Sequence, residues 1–271
     1  MEDYRNRNFL WQPEEVQHRI ANACVVIGGM GGLGWQIGGA LIGLGVRHIE
    51  VFDPDPLELV NLNRLWGVNR EQVGKTKVQL FKQNALGVDP DLQIATHDEA
   101  VPCWAFEHAL SRADVVFGGY DRPEPRVDTQ ILALKSQTLY IDAGVAIQST
   151  ENGMKGFGQV FVHNGATGCD GTQGCIVCAG LKLGDLGYRG EAGGPEPSSG
   201  VLNGILANMA VSLWLQHLMG NDVVPVTVFN WNQHTLSPIK KTPQREDCAI
   251  CGATPAWQHM PEVRDAESTI C

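Results

Sequence analysis

The stretch Ala23-Cys24-Val25-Val26-Ile27-Gly28-Gly29-Met30-Gly31-Gly32-Leu33-Gly34 restricts the fold of this chain more than any other. Cys24 to Ile27 is a short apolar run of the kind that makes a buried strand. Gly29, Gly31 and Gly34 then stand in G-x-G-x-x-G spacing, and Ile37, Ala40, Leu41 and Leu44 continue in a helix-compatible apolar run. In such a turn the first glycine allows the tight bend, the second lets a phosphate approach the backbone, and the third lets helix and strand pack closely. The helix start offers free N–H groups and a positive dipole end to an anion. Glycine-rich strand–helix turns also serve packing alone, so the motif needs a second signal. It comes about 20 residues on, where His48-Ile49-Glu50-Val51-Phe52-Asp53 reads as a second strand ending in a carboxylate. Together they predict a nucleotide site.

At 271 residues the chain fits one or two domains, and one α/β domain of this size is ordinary. A net charge of −10 argues against nonspecific nucleic-acid binding. The start, Met1-Glu2-Asp3-Tyr4-Arg5, lacks the plan of a signal peptide, and no apolar stretch is expected to span a membrane, so the expected location is cytoplasmic. Eight cysteines include two CxxC pairs, which without an export signal favour metal over disulfides.

Three regions follow. Residues 1–22 form a polar arm with a helix from Pro13 to Ala21. Residues 23–164 form the nucleotide-binding region. Residues 165–271 hold a crossover loop, a helix, C-terminal strands and the cysteine pairs. Within the second region, Asp53-Pro54-Asp55-Pro56-Leu57-Glu58-Leu59-Val60-Asn61-Leu62-Asn63-Arg64 carries more than a ribose acid needs. A helix from Val73 to about Leu86 opens with Lys75 and Lys77, cations that oppose the dipole at a helix N-terminus. Basic residues here suit a triphosphate, whose charge must be neutralised in a low-dielectric site. Further strands are expected at Leu92 to Thr96, Asp114 to Asp121 and Leu139 to Asp142, with a more exposed one at Gly156 to His163. Asp53 and Asp121 would then face one crevice at the carboxyl ends of the strands. Asp121 could instead cap the helix from Pro123. A helix from Val201 to Leu218 and paired strands near Val223 to Trp231 and Thr235 to Lys240 complete the reading. The fold class is a Rossmann-like, doubly wound, mainly parallel α/β sheet with extra antiparallel strands.

Cys175/Cys178 and Cys248/Cys251 have the two-plus-two spacing of a tetrahedral four-cysteine zinc site. The pairs lie far apart in sequence, so zinc would staple the loop region to the C-terminus. With no open ligand position its role would be structural. Reduced thiols or a redox pair are the alternatives, but a redox CxxC usually lies near the start of a βαβ unit.

The ordered set resembles the ThiF/MoeB adenylyltransferases, which share their fold with ubiquitin-activating enzymes. The resemblance rests on Gly29-x-Gly31-Gly32-x-Gly34, Asp53-x-Asp55, Asn61-Leu62-Asn63-Arg64, Gly74-x-x-Lys77, Asp121 with Arg126, and both cysteine pairs. It implies that Gly29, Gly31, Gly32 and Gly34 approach the ATP phosphates, that Asp53 holds the ribose hydroxyls with Asp55 beside it, and that Asn61, Asn63, Arg64 and Lys77 line the phosphate site. It implies that Asp121 binds Mg2+. Arg5-Asn6-Arg7-Asn8 is a degraded match to the family's arginine-bearing arm, and Arg7 is the residue expected to reach the γ-phosphate of the other subunit of a homodimer.

The implied reaction joins a protein's C-terminal carboxylate to the α-phosphate of ATP, releasing pyrophosphate. The nucleophile has a reference pKa of about 3.3–3.7 and needs no general base. The resemblance implies a small ubiquitin-like or sulfur-carrier partner ending in Gly-Gly. Family members that form a thioester carry a cysteine in the crossover loop, whereas Ala179 to Asp247 holds none. Cys24 reads as core, Cys103 begins a surface helix, Cys271 ends the chain, and Cys169 is the one substitute near the knuckle. Adenylation without a self-thioester is therefore expected. Leu65 stands where the family often has glutamine, and these departures also resemble the plasmid-encoded ThiF-like proteins of the PRTRC type. Three other readings remain: a branch that adenylates a small or tRNA-borne carboxylate, a nicotinamide oxidoreductase, and a silent scaffold for a ubiquitin-like partner.

Overall fold

The computed structural model describes residues 3–151, 153–165, 173–180 and 197–252. A 3-10 segment, Tyr4–Leu10, precedes α1 (Glu14–Asn22). β1 (Cys24–Gly28), α2 (Gly32–Leu44) and β2 (His48–Phe52) then form the first crossover unit. A 3-10 turn at Leu59–Asn63 leads to α3 (Lys77–Val88), β3 (Gln93–His97), α4 (Trp104–Leu110), β4 (Val115–Gly118) and α5 (Pro123–Ser136). β5 (Leu139–Thr150), β6 (Gly153–His163), α6 (Gly200–Leu218), β7 (Val226–Asn230) and β8 (Thr235–Ile239) complete the elements among the described residues.

All eight strands among the described residues lie in one sheet, ordered β3-β2-β1-β4-β5-β6-β7-β8. β1 to β5 pair in parallel, and β6, β7 and β8 add antiparallel strands. Strand order reverses between β1 and β4, which places the switch point, and so the expected ligand crevice, at their carboxyl ends. Because β1 and β4 are covered on both faces, their sequences are apolar runs rather than alternations. One face packs against α1, α2, α3 and α6, with Ile27, Ile37, Leu41, Val51, Leu206 and Trp214 at its centre. The other packs against α4, α5 and the cysteine-bearing turns, around Phe52, Phe106, Val116, Tyr140, Phe161 and Ile176.

Four expectations change. The fifth strand does not stop at Asp142 but continues to Thr150, because β6 folds back along its full length. The sixth is exposed only in its first part; Val160, Phe161, Val162 and His163 are buried where the sheet is sandwiched. The helix after Val73 starts at Lys77, since Gly74 has a φ of +92° and a short bridge joins Pro56 to Thr76. Cys24 is half-buried rather than core, because it begins its strand at the sheet's amino end. By length and composition α6, with 19 residues, also passes for a membrane span, but it packs against the sheet and α2 as a core helix. Cys169, Cys271 and most of the expected crossover loop lie outside the described residues.

Candidate functional site

The glycine loop is built by the absence of side chains. Gly29 has a φ of +82°, a conformation that favours glycine. A Cβ on Gly34 would lie 1.8 Å from the carbonyl oxygen of Gly29, so helix and strand meet backbone to backbone. A Cβ on Gly31 would meet nothing within 4 Å, leaving the cap position of α2 bare to an approaching group. The loop is also tied down. Gly29 N–H donates to the Phe52 carbonyl at 2.8 Å, and Met30 N–H donates to the Asp53 carboxylate at 2.6 Å.

Asp53 stands at the end of β2 and is 5% exposed. It also accepts from the Asp55 N–H at 2.9 Å and from Lys77 Nζ at 3.2 Å. Lys77 is buried at the first position of α3, where its Nζ donates to Asp55 at 2.9 Å. Two carboxylates thus offset a cation that the helix dipole disfavours. Burial raises the Asp53 pKa, while Lys77 and the two backbone donors pull it back. Asp53 therefore ties together the glycine loop, the turn after β2 and α3.

Asn61 is buried, and its side chain accepts from the Glu58 N–H at 2.9 Å, closing a reciprocal cap on the 3-10 turn. That turn delivers Arg64. The Arg64 guanidinium donates to the Val60 carbonyl and to Asn63 Oδ1, each at 2.9 Å. Its Cδ lies 2.9 Å from the place a Cβ on Gly32 would take, so the side chain lies against the start of α2. Burial lowers the Arg64 pKa, opposed by Asp121 and Glu58. Asn63 Nδ2 donates to the Ser198 carbonyl at 3.3 Å, joining this turn to the segment leading into α6.

Asp121 follows β4 and is exposed. It does not cap α5: the cap position is Arg122, with no side-chain hydrogen bond there. The carboxylate is free of hydrogen bonds among the described residues and lies in the field of Arg64. What fixes its position is the residue before it. The Tyr120 hydroxyl hydrogen-bonds to Thr129 Oγ1 at 2.8 Å in α5, and its oxygen lies 1.7 Å from where a Cβ on Gly28 would be. Gly119 N–H donates to the Gly28 carbonyl at 2.9 Å. The Asp121 loop is thereby clamped to the glycine loop. Arg126 lies deeper, ion-paired with the buried Asp142, whose carboxylate also accepts from the Tyr140 hydroxyl at 2.8 Å.

Arg7 is placed elsewhere. The 3-10 segment packs on the carboxyl end of α2 through Tyr4, whose hydroxyl reaches the Ile42 carbonyl at 3.3 Å, and Asn8, which donates to the Gly43 carbonyl at 2.7 Å. Arg5 is bound to Asp3 at 2.7 Å and lies against Gly45, whereas Arg7 is exposed and makes no hydrogen bond or ion pair among the described residues. α2 is 13 residues long, or about 20 Å, so Arg7 lies at the far end of the helix from its own crevice.

Cys175, Cys178, Cys248 and Cys251 converge with all four sulfurs within 4.8 Å of one another. The Cys175–Cys248 and Cys178–Cys251 pairs are 3.6 Å apart. Four sulfurs at about 2.3 Å from one zinc in a tetrahedron would stand about 3.8 Å apart, so the set fits such an ion. The hydrogen bond with Cys175 lowers the Cys251 pKa. Gln130 of α5 accepts from the Ile176 N–H at 3.3 Å, which ties the first cysteine turn to the helix that begins beside Asp121.

Sequence reasoning missed Tyr120 and Asn203. Asn203 offered a signal: it shares the buried stripe of α6 with Leu206, Ala207, Ala210 and Trp214. Tyr120 offered none, because its role depends on Gly28 lying opposite.

Residues 4–250 match the profile of the ThiF family. The chain is 27% identical over 212 residues to ubiquitin-like modifier-activating enzyme 5 of Dictyostelium discoideum, covering 74% of this chain and 54% of that one. It is 29% identical over 127 residues to the sulfur carrier protein ThiS adenylyltransferase of Escherichia coli K12, covering 47% and 51%. The chain thus spans about half the length of these relatives. Among solved structures, E. coli MccB with MccA-N7isoASN superimposes with a TM-score of 0.74 at 19% identity, over 93% of this chain and 75% of that one. E. coli MccB with ATP gives 0.72 at 19% identity, over 92% and 75%. These structures share the fold.

Proposed function

Because the chain belongs to the ThiF family, we propose that it is an ATP-dependent adenylyltransferase. Its substrate is the C-terminal carboxylate of a small ubiquitin-like or sulfur-carrier protein ending in Gly-Gly. The single observation that carries this reading is the convergence at the switch point. The bare start of α2, the Asp53–Lys77–Asp55 cluster, Arg64 and the unengaged Asp121 meet where strand order reverses. A nicotinamide fold would use the glycines and Asp53 and leave the rest idle.

The glycine loop and the start of α2 receive the phosphates, and Asp53 takes the ribose hydroxyls. Asn61 holds the turn that presents Arg64 and Asn63. The incoming carboxylate is already ionised. One of its oxygens attacks the α-phosphorus, the α–β bridging bond breaks, and pyrophosphate leaves with the electron pair. Arg64 and Lys77 stabilise the charge that gathers on that leaving group, and orientation supplies much of the rest. Asp121 is the residue to hold Mg2+, which would neutralise phosphate charge when bound. Arg7, at the far end of α2, serves the crevice of a second copy in a homodimer. Zinc held by Cys175, Cys178, Cys248 and Cys251 is structural, since four thiolates leave no open position. No described residue between Ala179 and Asp247 offers a thioester cysteine.

ATP–pyrophosphate exchange tests this reading. Exchange should depend on a Gly-Gly-ending partner and fall at least 100-fold in Asp121→Ala with the melting temperature unchanged. Exchange unaltered by that substitution would remove Asp121 from the metal role, and absence of exchange with every such partner would remove the proposed reaction.

A further inference from the structure

We infer that Asn203 is a further phosphate-binding residue of the crevice, its side-chain amide donating to the polyphosphate beside the start of α2. The inference rests on the nucleotide site proposed above and adds a residue to it.

Asn203 lies in the first turn of α6, with Ser199 at the cap position. It is 5% exposed and shares a buried stripe with Leu202, Leu206 and Ala207. A buried amide lacking good partners is unfavourable, so the residue calls for a compensating partner. Among the described residues its one side-chain hydrogen bond runs to Ser198 Oγ at 3.4 Å, at the long limit of such contacts. The same amide nitrogen packs on Gly32. Its Nδ2 lies 2.1 Å from the place a Cβ on Gly32 would occupy, on the same side as the Arg64 stem at 2.9 Å. Any side chain at position 32 would displace it.

The surroundings favour an anion. The amino end of α2 carries free N–H groups beside Gly32. The amino end of α6 converges on the same place: a Cβ on Gly200 would stand 3.0 Å from the Asn63 carbonyl and 3.4 Å from Arg64 Cα. Two helix amino ends, the Arg64 stem and an amide therefore meet at one spot. A phosphate oxygen there would satisfy the amide that Ser198 holds poorly, and it would connect nucleotide binding to the seating of α6.

Calorimetric titration of the full chain with adenosine, ADP and a non-hydrolysable ATP analogue, each with magnesium, decides the matter. Asn203→Asp keeps the size and replaces a donor by a negative charge. It should weaken the analogue at least tenfold, and adenosine not at all. Asn203→Ala, which suits the apolar stripe and keeps the fold should the aspartate fail to fold, should weaken the analogue about threefold or more with the same selectivity. Equal analogue affinity in Asn203→Ala and wild type, or parallel loss of adenosine, would overturn the assignment. If Arg64→Ala loses the analogue while both Asn203 variants keep it, the nucleotide site stands and Asn203 falls. If the wild-type chain binds none of the three, the site and the assignment fall together.

Discussion

The two halves of the sheet are held by opposite means. Around β1, β2 and β4 the chain closes on itself because side chains are missing: Gly34 admits the Gly29 carbonyl, Gly28 admits Tyr120, and Gly119 admits Gly34. Around β6, β7 and the carboxyl end, closure comes from added groups, with four sulfurs gathered among Phe161, Ile176, Val226 and Ile250. Hence the crevice half should fail when an atom is added, and the cysteine half when one is removed. α5 touches both, through Tyr120–Thr129 at one end and Gln130–Ile176 further along.

The largest break should come from Gly34→Ala, where a methyl group has no space. Its expected cost is about 4 kcal/mol or more, read by chemical denaturation. The same change at Gly39, in the same helix but open to solvent, should stabilise by about 0.5 kcal/mol. Equal effects would dissolve the contrast.

Next is Cys175→Ser, which removes one ligand from the cluster. Bound zinc should fall from one per chain to a small fraction by atomic emission, with a loss on the order of 3 kcal/mol. Hydrogen exchange should rise first in β6 and β7. Loosening confined to β1 and β2 would contradict the division.

Acid should also separate the halves. Burial lowers the His163 pKa to about 4, against 6.5 unfolded. The folded state binds that proton less readily, so the stability is full above pH 6.5 and is lost as pH falls toward 4. By pH 5 the loss is about 2 kcal/mol, and it should be absent in His163→Gln. Asp53 has the opposite sign: burial raises its pKa, so acid relieves its desolvation. Denaturation midpoints at pH 7 and 5 measure the difference.

The smallest effect belongs to Tyr120→Phe, which keeps the ring over Gly28 and removes the bond to Thr129. About 1 kcal/mol is expected, together with a several-fold rise in the magnesium needed for half-maximal exchange. A stability loss with the magnesium requirement unchanged would make Tyr120 a packing residue only.

The glycine loop, the crossover units and each CxxC turn were legible because each rests on local spacing. Gly29, Gly31 and Gly34 each have a φ, an opening or a contact that the motif implies. The exit from β5 was not legible, since Gly144 to Thr150 becomes strand only when β6 lies beside it. Lys77 was legible as a cation in the wrong place on a helix, but not its pairing with Asp53 and Asp55, which depends on how the turn after β2 folds back. The engagement of Arg5 was not legible either: its ion pair with Asp3, two residues away, depends on the local 3-10 turn.

The arm's seat on α2 has a consequence for how molecules would share work. In the proposed homodimer, an arginine carried at the remote end of its own helix would work in a neighbour's crevice. Preparations lacking Arg7 and preparations lacking Asp121 would each be inert, yet mixing them would restore turnover, because hybrid pairs contain one complete set. Dilution should then extinguish turnover more steeply than in proportion to the protein added.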